Sequence, residues 1–339
     1  MRQAIMTSPG VISLGETLKP TPGPGEVLLR IARIGVCGSD VHVWHGTHPY
    51  TSYPVVQGHE FSAVIEEVGP GVNGLTLGMK VTAMPQIACG RCGPCLRDDY
   101  HICDSLKVQG FQAPGCAQQW FVASADKIVV LPESFSFEQG ALVEPLAVAV
   151  HAVARAGEVT GHNVAVLGAG PIGNLIAQVA QAGGASVLMR DISDFRLELG
   201  EACGIAHASN ARSETMADAS RRAFGAAGFD VALECAGAEA SIGDAIGSIA
   251  KGGRIVVVGV FGEKPRVDLG LVQDRELTLV GTLMYRREDY EEAVRLIEAG
   301  KILTDPLDTG HFRLDDYAAA YQSIERHAER SMKVFIDML

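Results

Sequence analysis

At 339 residues the chain is long enough for two domains of ordinary size, and 47% hydrophobic with 20% charged residues describes a globular protein, neither disordered nor fibrous. A formal net charge of −12, with no cluster of Lys and Arg, argues against nucleic acid and anionic membrane as partners. No apolar run approaches a membrane span, and the opening MRQAIMTSPGVISLGE lacks the apolar core of a signal peptide, so the expected address is the cytoplasm.

Up to about Gly35 the pattern is short strands punctuated by Pro and Gly. The turn Gly23-Pro24-Gly25-Glu26 precedes residues 27–31, which alternate poorly and read as a buried strand. Residues 37–58, rich in Gly, His, Ser and Pro, read as irregular chain. Further strands are expected at 61–68 and 80–84, separated by Gly69-Pro70-Gly71, and this spacing suggests a small β-barrel-like domain. From about Val148 strands alternate with helices, which implies a parallel sheet. Strands are expected near 164–167, 185–190, 229–234, 254–259 and 277–281, with a weaker one at 205–208. Helices are expected near 172–182, 194–203, 213–225 and 239–250, completing a doubly wound α/β sheet of six strands. Beyond Leu283 the chain is expected to return to the first domain, with a helix at 289–299 carrying Tyr290, Ala293, Val294 and Ile297 on one face. Residues 276–283, ELTLVGTL, read as an edge strand whose apolar side can pair with a second subunit.

The stretch 164–191 carries the first chemical signal. An apolar run breaks into Gly168-Ala169-Gly170-Pro171-Ile172-Gly173, a helix follows, and a second apolar run ends at Asp191, 18 residues after Gly173. Binding a dinucleotide pyrophosphate requires this order. Gly168 permits the tight turn, Gly170 lets backbone approach the phosphates, Gly173 lets helix and strand pack closely, and the helix N-terminus faces the anion. Asp191 can accept both ribose hydroxyls, and its carboxylate would repel a 2′-phosphate, which favours NAD over NADP. Arg190 and Arg196 are the counter-argument, because either can contact a phosphate.

Eight cysteines supply the second signal. Cys89, Cys92, Cys95 and Cys103 fall within fifteen residues, at spacings that can close four thiolates around one tetrahedral Zn²⁺. Four protein ligands leave no vacancy for substrate, so this site is structural. Cys37 in GVCGSD, His59-Glu60 in GHEF and Glu144 in LVEPL are dispersed, and spacing alone cannot join them. Each by itself reads as an ordinary buried residue.

Taken in order, Gly35-Val36-Cys37-Gly38-Ser39-Asp40-x-His42, Gly58-His59-Glu60, the cysteine cluster, Glu144-Pro145 and GAGPIG resemble the zinc-dependent medium-chain dehydrogenases, over essentially the whole chain. Within them the closest likeness is to the polyol branch of sorbitol, threonine and butanediol dehydrogenases. The resemblance implies a GroES-like β-barrel catalytic domain at 1–147 with a zinc lobe at 86–106, an NAD-binding Rossmann domain at 148–284, and a return to the catalytic domain at 285–339. It implies two zinc ions per subunit. Cys37 and His59 would hold the catalytic zinc, with Glu60 either a direct ligand or a residue supporting the ligands from behind and Glu144 a further ligand, directly or through water, while the four clustered cysteines hold the structural zinc. Ser39 and His42 match the family's proton-relay positions. Gly168, Gly170, Ile172, Gly173, Asp191, Arg196, Val258, Gly259 and Leu283 match its cofactor contacts.

The activity implied is transfer of hydride from a secondary alcohol of a polyol or small hydroxy compound to NAD, giving a ketone. The alternatives are a phosphorylated polyol, a threonine-like amino alcohol, and a noncatalytic NAD-binding protein. Val43 and Met284 depart from the sorbitol dehydrogenase pattern, which carries Tyr and Arg there, and this separates the chain from sorbitol itself. Trp120 can wall a substrate pocket or fill the barrel core, His45 and His48 read as surface histidines, and a homodimer or homotetramer is expected.

Overall fold

β-branched residues in short runs, closed by Gly and Pro turns, make the first part of the chain strands. The computed structural model describes residues 1–339. The strands β1 (Arg2–Ser8) and β2 (Val11–Glu16) form an antiparallel hairpin, and β3 (Glu26–Gly35) leads into the helix α1 (Gly38–Trp44). Then come β4 (Glu60–Val68), β5 (Lys80–Ala83), β6 (Gln86–Ile87), α2 (Gly93–Leu96), β7 (Lys107–Val108), β8 (Trp120–Ser124) and β9 (Ile128–Val130). The long helix α3 spans Phe137–Ala156.

From there the chain alternates: β10 (Asn163–Leu167), α4 (Pro171–Ala182), β11 (Ser186–Asp191), α5 (Asp194–Ala202), β12 (His207–Asn210), α6 (Met216–Phe224), β13 (Val231–Glu234), α7 (Glu239–Ser248), β14 (Arg254–Val257), α8 (Leu269–Asp274), β15 (Thr278–Gly281) and α9 (Arg287–Glu298). The chain closes with β16 (Asp308–Arg313), α10 (Tyr317–Arg326) and β17 (Lys333–Asp337).

Two compact units result, Met1–Glu144 with Asp308–Leu339, and Pro145–Leu307. In the first, a seven-stranded sheet runs β16-β17-β3-β4-β5-β9, with β8 also pairing with β3. Its core gathers Ile31, Ile34, Phe61, Ile65, Val81, Phe121, Tyr317 and Tyr321. Each fully buried Ile or Phe of this kind contributes about 1.5–3 kcal/mol. The second unit is a six-stranded, all-parallel sheet in the order β12-β11-β10-β13-β14-β15, the expected doubly wound arrangement. Residues 278–281 lie at its edge as expected.

Five helices depart from the expectations. α1 falls where irregular chain was expected, because its composition favours a loop. A capping box starts it, with the Cys37 N–H donating to Asp40 Oδ2 at 3.0 Å. α2, α3, α8 and α10 also lie where no helix is expected. α3 is apolar around much of its girth and contains Pro145, so no amphipathic stripe marks it. The return to the first unit begins at Asp308, not at 285. α9 stays with the second unit, tied to α3 by His151 Nδ1 and Asp289 Oδ2 at 2.9 Å.

Candidate metal and dinucleotide sites

The four sulfurs of Cys89, Cys92, Cys95 and Cys103 lie within 4.8 Å of one another. Cys92 Sγ stands 3.4 Å from Cys95 Sγ and 3.8 Å from Cys103 Sγ. Zinc–sulfur bonds of about 2.3 Å put the corners of a tetrahedron about 3.8 Å apart, so the donor set fits zinc. Local chain geometry explains the convergence: Cys92 caps the single turn α2, and Pro94 at its start places Cys95. Backbone N–H groups of Arg91 and Cys92 pull the Cys89 thiol down to about 6. Desolvation and the Cys92 sulfur push Cys95 up to about 12. Four crowded sulfurs cannot all ionise without a cation among them.

A second group gathers Cys37, His59 and Glu60, their donor atoms also within 4.8 Å. Cys37 ends the turn between β3 and α1, His59 immediately precedes β4 and Glu60 opens it, and β3 pairs with β4 at Gly35 and Glu60. The sheet register therefore joins residues that spacing could not. His59 and Glu60 are buried. His59 Nδ1 has no hydrogen-bond partner and looks at Asp40 Oδ1 across 3.7 Å. Burial opposes a charged ring, yet the Asp40 carboxylate and the Cys37 sulfur outweigh it and hold His59 well above its ordinary value. Burial, reinforced by the Glu60 charge, raises the Cys37 thiol. A half-buried thiol facing a buried imidazole and a buried carboxylate suits a divalent cation of zinc's softness. Glu144, buried on α3, stays outside the three-residue group, although its charge raises both His59 and Lys333.

Supporting residues not singled out from the sequence complete this centre. Lys333 Nζ lies 2.5 Å from Glu60 Oε2 and 3.4 Å from the Val36 carbonyl. Gln57 Nε2 donates to Asp40 Oδ1 at 3.3 Å, and the Tyr321 hydroxyl donates to Gln57 Oε1 at 2.9 Å. Asp40 alone had a sequence signal, an acid at the third position of a capped helix. Ser39 and His42 lie three apart on α1, with Ser39 half-buried and His42 exposed.

In the second unit Gly168 takes a φ of +106°, and a Cβ there would meet Ala236 N at 2.9 Å. A Cβ at Gly173 would overlap the Gly168 carbonyl oxygen. Gly170 is the N-cap of α4, Pro171 opens the helix, and Ile172 in its first turn is half-buried. Asp191 Oδ2 accepts the Ala169 N–H at 2.6 Å and Oδ1 the Ser193 N–H at 2.9 Å, so this carboxylate already holds the glycine turn. One guanidinium nitrogen of Arg196 lies 3.9 Å from where a Cβ of residue 170 would stand. Arg190 does not share that site: it is buried, and bonds Ser209 Oγ at 2.9 Å and the Glu214 carbonyl at 2.8 Å. Val258 and Gly259 follow β14, their N–H groups donating to the Glu234 carbonyl, and Leu283 is exposed.

Several side readings also resolve. His45 is exposed and bonds Glu325 at 2.6 Å, whereas His48 stacks on Phe111 at 4.6 Å. Trp120 is half-buried, donates to Glu66 Oε2 at 2.7 Å and lies under Lys19, so it fills no core. Met284 is half-buried and has a φ of +51°.

Residues 23–133 match the alcohol dehydrogenase GroES-like domain, and residues 171–299 match the zinc-binding dehydrogenase domain. A 2-dehydro-3-deoxy-L-galactonate 5-dehydrogenase of Pseudoalteromonas atlantica is 35% identical, over 93% of this chain and 92% of its own. A sorbitol dehydrogenase of Halalkalibacterium halodurans is 32% identical, over 93% of each. A crystal structure from Sinorhizobium meliloti, described as a zinc-binding dehydrogenase bound to NADP, superposes with a TM-score of 0.90 at 27% identity, covering 99% of this chain and 98% of its own. The chain belongs to the zinc-binding alcohol dehydrogenase family and is an oxidoreductase that works with zinc and a nicotinamide dinucleotide.

Proposed function

We propose that the enzyme oxidises a secondary alcohol of a polyol or related small hydroxy compound to a ketone, with NAD as hydride acceptor. The observation that carries this reading is the Cys37–His59–Glu60 group, whose donor atoms lie within 4.8 Å of one another. In it Cys37 and His59 would hold the catalytic zinc, with Glu60 or Glu144 available to complete the donor set. Zinc there would supply Lewis acidity, the chemistry that makes a hydroxyl ionisable near neutral pH. The Asp40 carboxylate, 3.7 Å from His59 Nδ1, favours a proton on that nitrogen, which would leave the other ring nitrogen to hold the metal. Ser39 and then His42, on one face of α1, take the alcohol proton outward, the exposed imidazole passing it to solvent. The 2-dehydro-3-deoxy-galactonate and sorbitol relatives support a small polyhydroxylated substrate.

In this reading the first unit is the catalytic domain, and the second binds NAD through Gly168, Gly170, Ile172, Gly173, Asp191, Arg196, Val258, Gly259 and Leu283. The Asp191 carboxylate supports NAD over NADP. So does Arg190, whose guanidinium is engaged at Ser209 and Glu214. Arg196 lies toward Gly170, where the pyrophosphate belongs. The edge strand β15, with Leu279 exposed, supports a homodimer or homotetramer. Clustered metal-binding thiols support a reducing, cytoplasmic setting.

The test is NADH formation over free polyols, sugar acids, sugar phosphates, 2,3-diols and threonine, with NADP run in parallel. A polyol or sugar acid should be oxidised with NAD, and Cys37→Ser should lose turnover together with one zinc. Undiminished turnover in that variant, or no activity on any alcohol, overturns the reading.

A further inference from the structure

Glu234 ends β13 and is 0% exposed, a place where a carboxylate loses its hydration. Its Oε1 accepts the N–H groups of Ala236 at 2.9 Å and Gly237 at 2.8 Å, and the Ser241 hydroxyl at 2.5 Å. Its backbone carbonyl accepts the N–H groups of Val258 and Gly259, both at 2.8 Å. Oε2 has no hydrogen-bond partner and lies 2.8 Å from where a Cβ of residue 259 would stand. One residue thus ties the loop after β13 to the loop after β14. Two glycines let these loops meet backbone to backbone. A Cβ at Gly237, whose φ is +64°, would strike the Val260 carbonyl oxygen at 2.5 Å, and one at Gly259 would overlap Gly237 N.

Asp191 does the matching work at the end of β11, where it holds Ala169 and Ser193. Strand order reverses where β10 lies beside β13, and a dinucleotide lies across that crevice with one nucleotide on each half of the sheet. Each half therefore has a strand-end carboxylate that fixes the backbone of its loops: Asp191 on the adenosine side and Glu234 on the other.

We propose that Glu234 is a positioning residue for the nicotinamide end of the cofactor. Its side chain acts through the Ala236–Gly237 turn, against which the Gly259 backbone packs, without touching the ligand, since its Oε2 is sealed from solvent. The inference rests on the dinucleotide reading above. What the loops require of residue 234 is an acceptor at Oε1, so a glutamine, whose amide oxygen accepts the same donors, should serve nearly as well.

Calorimetric titration of the full-length, zinc-loaded protein with NADH and with ADP-ribose, which lacks the nicotinamide ring, separates the two ends. Glu234→Ala should weaken NADH about tenfold and leave ADP-ribose within about twofold, because Asp191 still holds the glycine turn. Glu234→Gln should stay within about threefold for both ligands. Ser241→Ala, which removes a single donor, should weaken NADH about threefold and spare ADP-ribose, and it keeps the test available if Glu234→Ala does not fold. Equal losses for the two ligands, or no loss of NADH, overturn the proposal. Wild-type protein that binds neither ligand overturns the dinucleotide reading and this inference with it.

Discussion

Lys333 Nζ stands 2.5 Å from Glu60 Oε2, with the two side chains only 3% and 2% exposed. Burial alone would lower the lysine's affinity for its proton, but the facing carboxylate reverses that and raises it. The pair anchors the last strand of the first unit against the residue next to His59. Lys333→Met should leave Glu60 as an uncompensated buried charge and destabilise the first unit by about 3–5 kcal/mol. The double variant Lys333→Met with Glu60→Gln should recover much of that loss. Both tryptophans, Trp44 and Trp120, lie in the first unit, so urea unfolding followed by tryptophan fluorescence reads it selectively. Equal stability of the wild type and the lysine variant would show that the pair contributes nothing.

The four-cysteine lobe should depend on its metal. Cys95→Ser should lower bound zinc from two ions per chain to one, by elemental measurement, while Cys37 and His59 keep theirs. Metal binding is worth about 10–16 kcal/mol in isolated zinc folds, so the variant's residues 86–106 should become the first protease-sensitive segment. Retention of both ions and of protease resistance would contradict the structural role.

His311 joins β16 to β17 through Asp308 at 2.7 Å and Asp337 at 2.8 Å, and Asp337 also meets Arg33. Burial weakens the protonated ring, but the carboxylates of Asp337 and Asp308 prevail and raise its pKa above the ordinary 6.5. A group whose folded pKa is raised gives its stability in full below the unfolded value and loses it as pH climbs through the folded one. The stability difference between wild type and His311→Gln should therefore be larger at about pH 5.5 than at about pH 8.5. Arg33, which shares Asp337, stays charged throughout and does not contribute to this slope. A difference independent of pH would remove the linkage.

Legibility from sequence followed the distance between interacting residues. The four thiols and the glycine turn were readable because each set is local and its spacing encodes its geometry. Cys37 and His59 needed a family resemblance, since only the β3–β4 register brings them together. Lys333 and Tyr321 gave no signal, because their partners Glu60 and Gln57 lie 273 and 264 positions away. α3 was hidden for another reason: burial on most sides erases the amphipathic period by which a helix is recognised. Arg190 shows the reverse error, a charge beside the cofactor motif that the fold commits elsewhere.

The first unit is assembled from two separated pieces of chain, with β17 inserted beside β3. On a translating ribosome residues 145–307 emerge whole, ahead of the strand that completes the earlier sheet. The nascent chain thus carries an open edge at β3, and a Glu60 still awaiting Lys333, through the synthesis of an entire intervening unit. Maturation is timed by the arrival of residues 308–337, and chaperones that shield strand edges have their longest opportunity in that interval.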